Sequence, residues 1–327
     1  MSAAMNRRAF VTGSLAGAAA GALALRGGPA AAQDAPKAAS AEMPRGKIGK
    51  LEVSRILLGG NLLTHYTHGR DLNYTYRLAA HYNTPAKIIE TLAIAEQNGI
   101  NTLSVHTANN YSAWQPGGVI HTLQQHRKNG GKMQWIICPT APVNESMEAY
   151  KQMVQRLIDT GCDAIYLWGV YADGMVARKQ FDQIAKAVQI AKDFKVPSGV
   201  GGHDLNVVLQ CEERKVDADF YIKTFHHHKY PSAPKPEQIR GPICEVPGYW
   251  CSDPPAVVEA MKAVKRPWIA FKIMAAGAIP PKDAVSFVFK SGADHALMGM
   301  FDFEIAEDAK IAREALANVQ RERPWLS

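Results

Sequence analysis

Cysteine is scarce, five residues in 327, and outside an Ala/Gly-rich stretch near the N-terminus no apolar run reaches the roughly 20 residues that a membrane-spanning helix needs. An integral membrane protein is therefore excluded. Basic arms and Arg-rich helices are also missing. The formal charge is +7, but Arg7, Arg8 and Arg26 lie in the first 32 residues, and the remainder carries 34 basic against 30 acidic side chains. Nucleic acid is not the expected partner. No short metal-ligand motif occurs, and Gly59-Gly60-Asn61 lacks the spacing of a dinucleotide-binding glycine turn. What is present, 47% hydrophobic and 20% charged residues, suits a folded globular chain and not a disordered or fibrous one.

The N-terminus reads as a leader. Asn6-Arg7-Arg8-Ala9-Phe10-Val11 precedes an uncharged stretch to Leu25, and Pro29-Ala30-Ala31-Ala32 supplies small residues for cleavage. Paired arginines before a bulky apolar residue resemble a twin-arginine signal, which addresses a folded protein to the export machinery. An ordinary secretory signal is the alternative. The expected organisation is a signal over 1–32, a flexible linker over 33–45 and one domain over 46–327, working in a bacterial periplasm or outside the cell. In that oxidising setting Cys244 and Cys251, brought together by a turn at Pro247-Gly248, are expected to form a disulfide, or else to remain two thiols in a surface loop. Cys162 and Cys211 read as buried fillers.

Beyond the linker one pattern repeats, a short apolar strand followed by an amphipathic helix. Strands are expected near 55–60, 101–106, 133–139, 163–169, 197–202, 218–226, 267–273 and 294–299. Helices are expected near 85–98, 116–128, 145–160, 176–194, 204–214, 254–265, 281–291 and 304–321. Thr84 and Pro85 open the clearest helix as N-cap and first residue. Strict alternation requires parallel strands, and eight units favour closure into an α/β (β/α)8 TIM barrel over an open doubly wound sheet. Two connections, 61–83 and 227–253, exceed what a barrel needs. Both follow strand C-termini, where enzymes of this fold keep their chemistry, and they hold Arg70 and Trp250, suited to covering a polar ligand.

Side chains alternate along a strand, so the polar parity is expected to face the barrel interior. Thr102, Ser104 and His106 share one parity, as do Tyr221, Lys223, Phe225 and His227. With His203 after Gly201-Gly202, Lys272 on the seventh strand and Tyr111 after the second, these groups converge on the mouth. His106, His203 and His227, or His226 or His228 in its place if the sixth strand ends earlier, could hold a divalent metal with an open position. Alternatively a metal-free His acts as base while Lys272 stabilises an enolate or alkoxide. Trp168 and Trp250 could stack on sugar rings, whereas His65 and His68 read as surface residues.

Gly46-Lys-Ile-Gly-Lys-Leu-Glu-Val-Ser54 with Arg-Ile-Leu-Leu-Gly-Gly60 resembles the N-terminal β-hairpin and first strand of the aldo-keto reductases. His106-Thr-Ala-Asn-Asn-Tyr111 resembles that family's Asp-Thr-Ala-x-x-Tyr motif, and Ala164–Gly169 and Asp294–Met300 resemble its fourth and eighth strands. The resemblance implies the barrel, a nicotinamide cofactor and a tetrad of Asp, Tyr, Lys and His. Tyr111 matches the Tyr, but His106 stands for the Asp, Gly169 for the His, and no Lys ends the third strand. The turn Met300-Phe-Asp-Phe-Glu304 is acidic where basic residues often surround the nucleotide phosphate.

These departures make the leading expectation an exported barrel enzyme with Tyr111, His106, His203 and Lys272 in catalysis. It would perform proton-transfer or metal-assisted chemistry, as a lyase, isomerase or hydrolase, on a small carbonyl or carbohydrate-type substrate bound by Trp168, Trp250 and Arg70. A divalent metal is expected ahead of NADP. The alternatives are an NADP-dependent oxidoreductase with rearranged catalytic groups and a non-catalytic ligand-binding barrel.

Overall fold

Arg45–Ile48 (β1) and Leu51–Ser54 (β2) form an antiparallel hairpin around Gly49, whose φ of 57° lies in the left-handed region that glycine tolerates. Ile48, Leu51 and Val53 leave the hairpin on one face and pack with Leu57, Ile136 and Phe220, so the hairpin plugs the end of the barrel where the strands begin. This computed structural model describes residues 42–69, 72–107, 113–241 and 251–327. The expected leader lies outside the described residues, as does the linker up to residue 41.

Eight parallel strands follow: Ile56–Gly59 (β3), Thr102–His106 (β4), Gln134–Cys138 (β5), Ala164–Leu167 (β6), Ser198–Gly202 (β7), Phe220–Thr224 (β8), Trp268–Phe271 (β9) and His295–Met298 (β10). They close into a barrel, with Ala296 of β10 opposite Ile56 of β3. The expected (β/α)8 barrel with an N-terminal hairpin is the fold. Each strand lies within the span its apolar run marks, because strands covered on both faces read as continuous hydrophobic segments.

Pro85–Gln97 forms as its sequence dictates, with Thr84 Oγ1 accepting the Lys87 N–H at 3.3 Å and Ile88, Leu92 and Ala95 buried. The expected helix over 176–194 is instead two, Gly169–Ala177 and Phe181–Asp193. The first ends in a Schellman motif: Lys179 takes φ 57°, its N–H reaches Val176 O, and Gln180 N–H reaches Met175 O. Lysine in place of glycine at that position hides the stop signal. A further helix, Asn73–Tyr82, occupies the connection after β3.

On β8 the expected parity is reversed. Phe220 and Ile222 belong to the barrel interior, while Tyr221 and Phe225 pack in the layer between barrel and helices. Lys223 lies on Tyr221's side, fully buried, its ammonium donating to the carbonyls of His203 (2.8 Å) and Thr224 (2.7 Å). Burial lowers its pKa. A long aliphatic stem lets lysine fill the apolar layer while its head finds carbonyls at the strand end.

Candidate active site at the strand C-termini

The end of β3 sets the floor of the site. A Cβ at Gly59 would lie 2.8 Å from Gly299 N, and one at Gly60 would lie 2.5 Å from Val105, so glycine permits β3 to lie close against β10 and β4. The chain then turns through Asn61 and Thr64. Thr64 Oγ1 bonds His106 Nε2 at 3.0 Å, fixing the imidazole that ends β4. His106 stacks on Trp168, ring centroids 6.5 Å apart, and meets the edge of Tyr66.

His68 is a site residue that the sequence reading assigned to the surface. Its Nε2 accepts from the Asn61 amide at 2.8 Å, and the Lys272 ammonium lies 3.2 Å from both ring nitrogens, so an inner loop residue and the end of β9 meet at one imidazole. Burial, then the neighbouring Lys272, His203 and His106, push its pKa down to about 2. It is therefore neutral and an acceptor. Tyr66 stands edge-on to both His68 and His106, with ring centroids at 4.7 and 6.0 Å, so Lys272 and His106 of the expected catalytic residues gather around His68.

His203 directly follows β7, and its Nδ1–H donates to Asp173 Oδ2 at 2.7 Å. Asp173, on the helix Gly169–Ala177, went unread in the sequence because nothing local links it to a histidine 30 positions away. Burial lowers the His203 pKa, and Asp173 opposes that shift. Gly169 makes the room: a Cβ there would lie 3.1 Å from His203 Cε1.

A cavity of about 670 Å³ opens at this mouth, walled largely by apolar and aromatic groups such as Leu62, Phe271, Ile273 and Leu297. After β9 the chain presents small residues to it, and Ala275, Ala276 and Gly277 hold φ of 46°, 58° and 88°. Two successive alanines in this left-handed region are uncommon. His226 lines the cavity at 1% exposure, and neither ring nitrogen makes a hydrogen bond; the Lys272 backbone lies near but outside bonding geometry. Burial, then nearby cations, hold its pKa at about 3.

His227, the expected metal ligand, is not in this group. The strand ends at Thr224, two residues before His226, and His227 turns out to pack edge-on against Phe287 while its Nδ1 accepts the Lys229 N–H at 3.1 Å. Among the described residues no group of three His, Cys, Asp or Glu is placed to hold a metal ion, so the His106, His203, His227 metal site is corrected. Cys251 is a buried free thiol, while Cys244 lies outside the described residues, as do Tyr111, Arg70 and Trp250. Cys162 and Cys211 are buried, as expected.

No family model matches the chain, and no curated protein does. Solved structures share its fold. A protein of Pseudomonas aeruginosa described as an aldo-keto reductase superposes with a TM-score of 0.55 at 17% identity, over 84% of this chain and 94% of its own. The holo form of an aldo-keto reductase from Bacillus halodurans gives 0.55 at 11% identity, over 88% and 93%. A variant of Gox0644 in complex with NADPH gives 0.52 at 10% identity, over 85% and 89%. At such identities the likeness establishes the fold. It also corrects two expectations: the neighbours are oxidoreductases, against a lyase, isomerase or hydrolase, and one holds NADPH, against a metal ahead of a nicotinamide cofactor.

Proposed function

We propose that the chain is an oxidoreductase of the aldo-keto reductase type with rearranged catalytic groups, interconverting a small carbonyl compound and its alcohol with a bound nicotinamide dinucleotide. The observation that carries this reading is the cavity itself. Its volume of about 670 Å³ suits a cofactor, its walls are apolar, and His226, buried on it, has neither ring nitrogen in a hydrogen bond. Those properties fit the dinucleotide. The backbone of 275–277 would face its pyrophosphate, and His226 would offer one donor and one acceptor to its amide. The cofactor, when bound, supplies or accepts hydride.

The chain's own residues do the rest. In this reading Tyr111 gives the proton to the carbonyl oxygen, and Lys272 stabilises the negative charge that develops there. Neutral His68 holds the Lys272 ammonium in position. His106, held by Thr64, and His203, held by Asp173, supply proton relay at the same mouth. Trp168, stacked on His106, would cover the substrate at the mouth, with Arg70 and Trp250 kept as the sequence-based candidates for binding it.

The test mixes the purified full chain with NADH or NADPH and a panel of aldehydes, ketones and sugars, following dinucleotide fluorescence and absorbance. Binding and substrate-dependent oxidation are expected. Lys272→Met and Tyr111→Phe should each lower turnover by about 100-fold or more. Binding without any turnover would favour a ligand-binding barrel. We also infer export to the periplasm or beyond, supported by Arg7-Arg8 and the small-residue run ending at Ala32. N-terminal sequencing of the protein recovered outside the cytoplasm should begin near Gln33, and retention of the full chain inside the cell would refute it.

A further inference from the structure

The reading of the mouth as a dinucleotide site leaves open which dinucleotide it takes, and the solvent end of the cavity bears on that choice. Phe303 is 69% exposed there and stacks on Phe301 with centroids 5.5 Å apart and planes 5° from parallel. Tyr82 stands edge-on to both rings. Its hydroxyl donates to Asp302 Oδ1 at 2.6 Å, which holds the ring in place. These aromatic faces line the cavity and offer a stacking surface to a planar base.

Beside them lie two carboxylates. Glu304 lines the cavity while its Oε2 accepts the Phe301 N–H at 2.9 Å. Asp308 also lines it, only 5% exposed, and among the described residues its carboxylate makes no hydrogen bond or ion pair. A cavity-lining carboxylate with no protein donor is open to a hydroxyl of a ligand bound there. Basic groups do not balance the pair. Lys87, the nearby lysine, is committed to Asp302 at 3.1 Å and Glu90 at 2.7 Å. Among the described residues lining the cavity, Lys272 is the one lysine or arginine, and it bridges to His68.

We propose that this end of the cavity binds an adenosine whose ribose carries free hydroxyls, with Asp308 and Glu304 as specificity-determining residues, so that the cofactor is NAD(H) and not NADP(H). A ribose hydroxyl donates its proton to a carboxylate and supplies what Asp308 lacks. A 2′-phosphate has no proton to spare at neutral pH and brings negative charge against two carboxylates with no cation between them. The proposal rests on the dinucleotide reading of the site and adds the choice of cofactor to it.

Titration of the full chain with NADH and with NADPH, read by energy transfer from tryptophan to the dihydronicotinamide, decides the matter without turnover. Thermal shift with ADP-ribose and its 2′-phosphate provides a second reading. NADH is expected to bind at least about tenfold more tightly than NADPH. Glu304→Gln with Asp308→Asn should narrow that ratio, chiefly by tightening NADPH. Equal or tighter binding of NADPH to the wild-type protein would overturn the proposal and leave the dinucleotide reading intact. A preference for NADH that the folded double variant keeps in full would overturn the assignment to these carboxylates. Binding of neither dinucleotide would overturn the dinucleotide reading, and this proposal with it.

Discussion

Asp173 grips His203 at three points: Oδ2 accepts the imidazole Nδ1–H at 2.7 Å, and Oδ1 accepts the backbone N–H groups of His203 and Asp204 at 2.9 and 3.0 Å. Both side chains are nearly closed to solvent. The carboxylate fixes the ring's orientation and places its proton on Nδ1. It also resists the downward pull of burial on the imidazole pKa. Asp173→Asn should therefore lower the His203 titration midpoint further and weaken the Nδ1–H tautomer, as read by NMR of the ring nitrogens. A midpoint that rises in the variant would contradict this account.

Lys272 and His68 act in the opposite sense on each other. An ammonium 3.2 Å from the ring disfavours the imidazolium, and it adds to burial in holding His68 at about 2. Lys272→Met removes that charge, so the His68 midpoint should climb toward the ordinary 6.5 without reaching it, since burial remains. NMR titration of the variant checks the direction.

Asp308 is held at about 6, above its ordinary 3.8, first by burial and then by Glu304 and Glu307. The native state thus binds more protons than the unfolded chain between those values, and this residue's contribution to stability falls as pH rises from about 4 through 6. Asp308→Asn should raise the melting temperature at neutral pH, with the gain disappearing below about pH 4. Thermal melts of both proteins across that range make the comparison. A stabilising substitution at a cavity-lining residue is what a group retained for binding leads one to expect.

Gly169→Ala tests the packing around His203. The added Cβ would sit 3.1 Å from His203 Cε1 and 3.2 Å from Gly202 N, tighter than ordinary contact, with backbone on one side. A loss of about 1–3 kcal/mol is expected on denaturant unfolding. The His203 ring resonances should shift with it.

The strands were legible because each is an apolar run bounded by polar or small residues, and the helix at Pro85 because Thr84 and Pro85 are local signals. The break at Lys179 was not, since a lysine took the left-handed position that glycine usually marks. Parity failed on β8 for a related reason. Both faces of that strand are buried, so alternation carries no sign of which face is inside, and a buried lysine satisfied by carbonyls reads like an interior polar residue. His106, His203 and Lys272 could be placed at one rim from strand ends alone. His68 and Asp173 could not, because their roles depend on a loop path and a helix register, and which of His226 to His228 turns inward depends on the residue at which β8 stops pairing.

By itself the order of residues determined the closed eight-stranded barrel and the rim at which imidazoles and an ammonium collect, since these follow from hydrophobic period and from where each strand ends, while the hairpin was legible through the resemblance of Gly46–Ser54. Only the folded chain decided which of those groups meet. It set Asn61, His68 and Lys272 in one chain of contacts, joined Asp173 to His203, turned His226 into the cavity and left Asp308 facing it without a partner. Hydrogen bonds of about 3 Å between residues 30 to 204 positions apart depend on how several elements pack at once, and no local pattern encodes that distance.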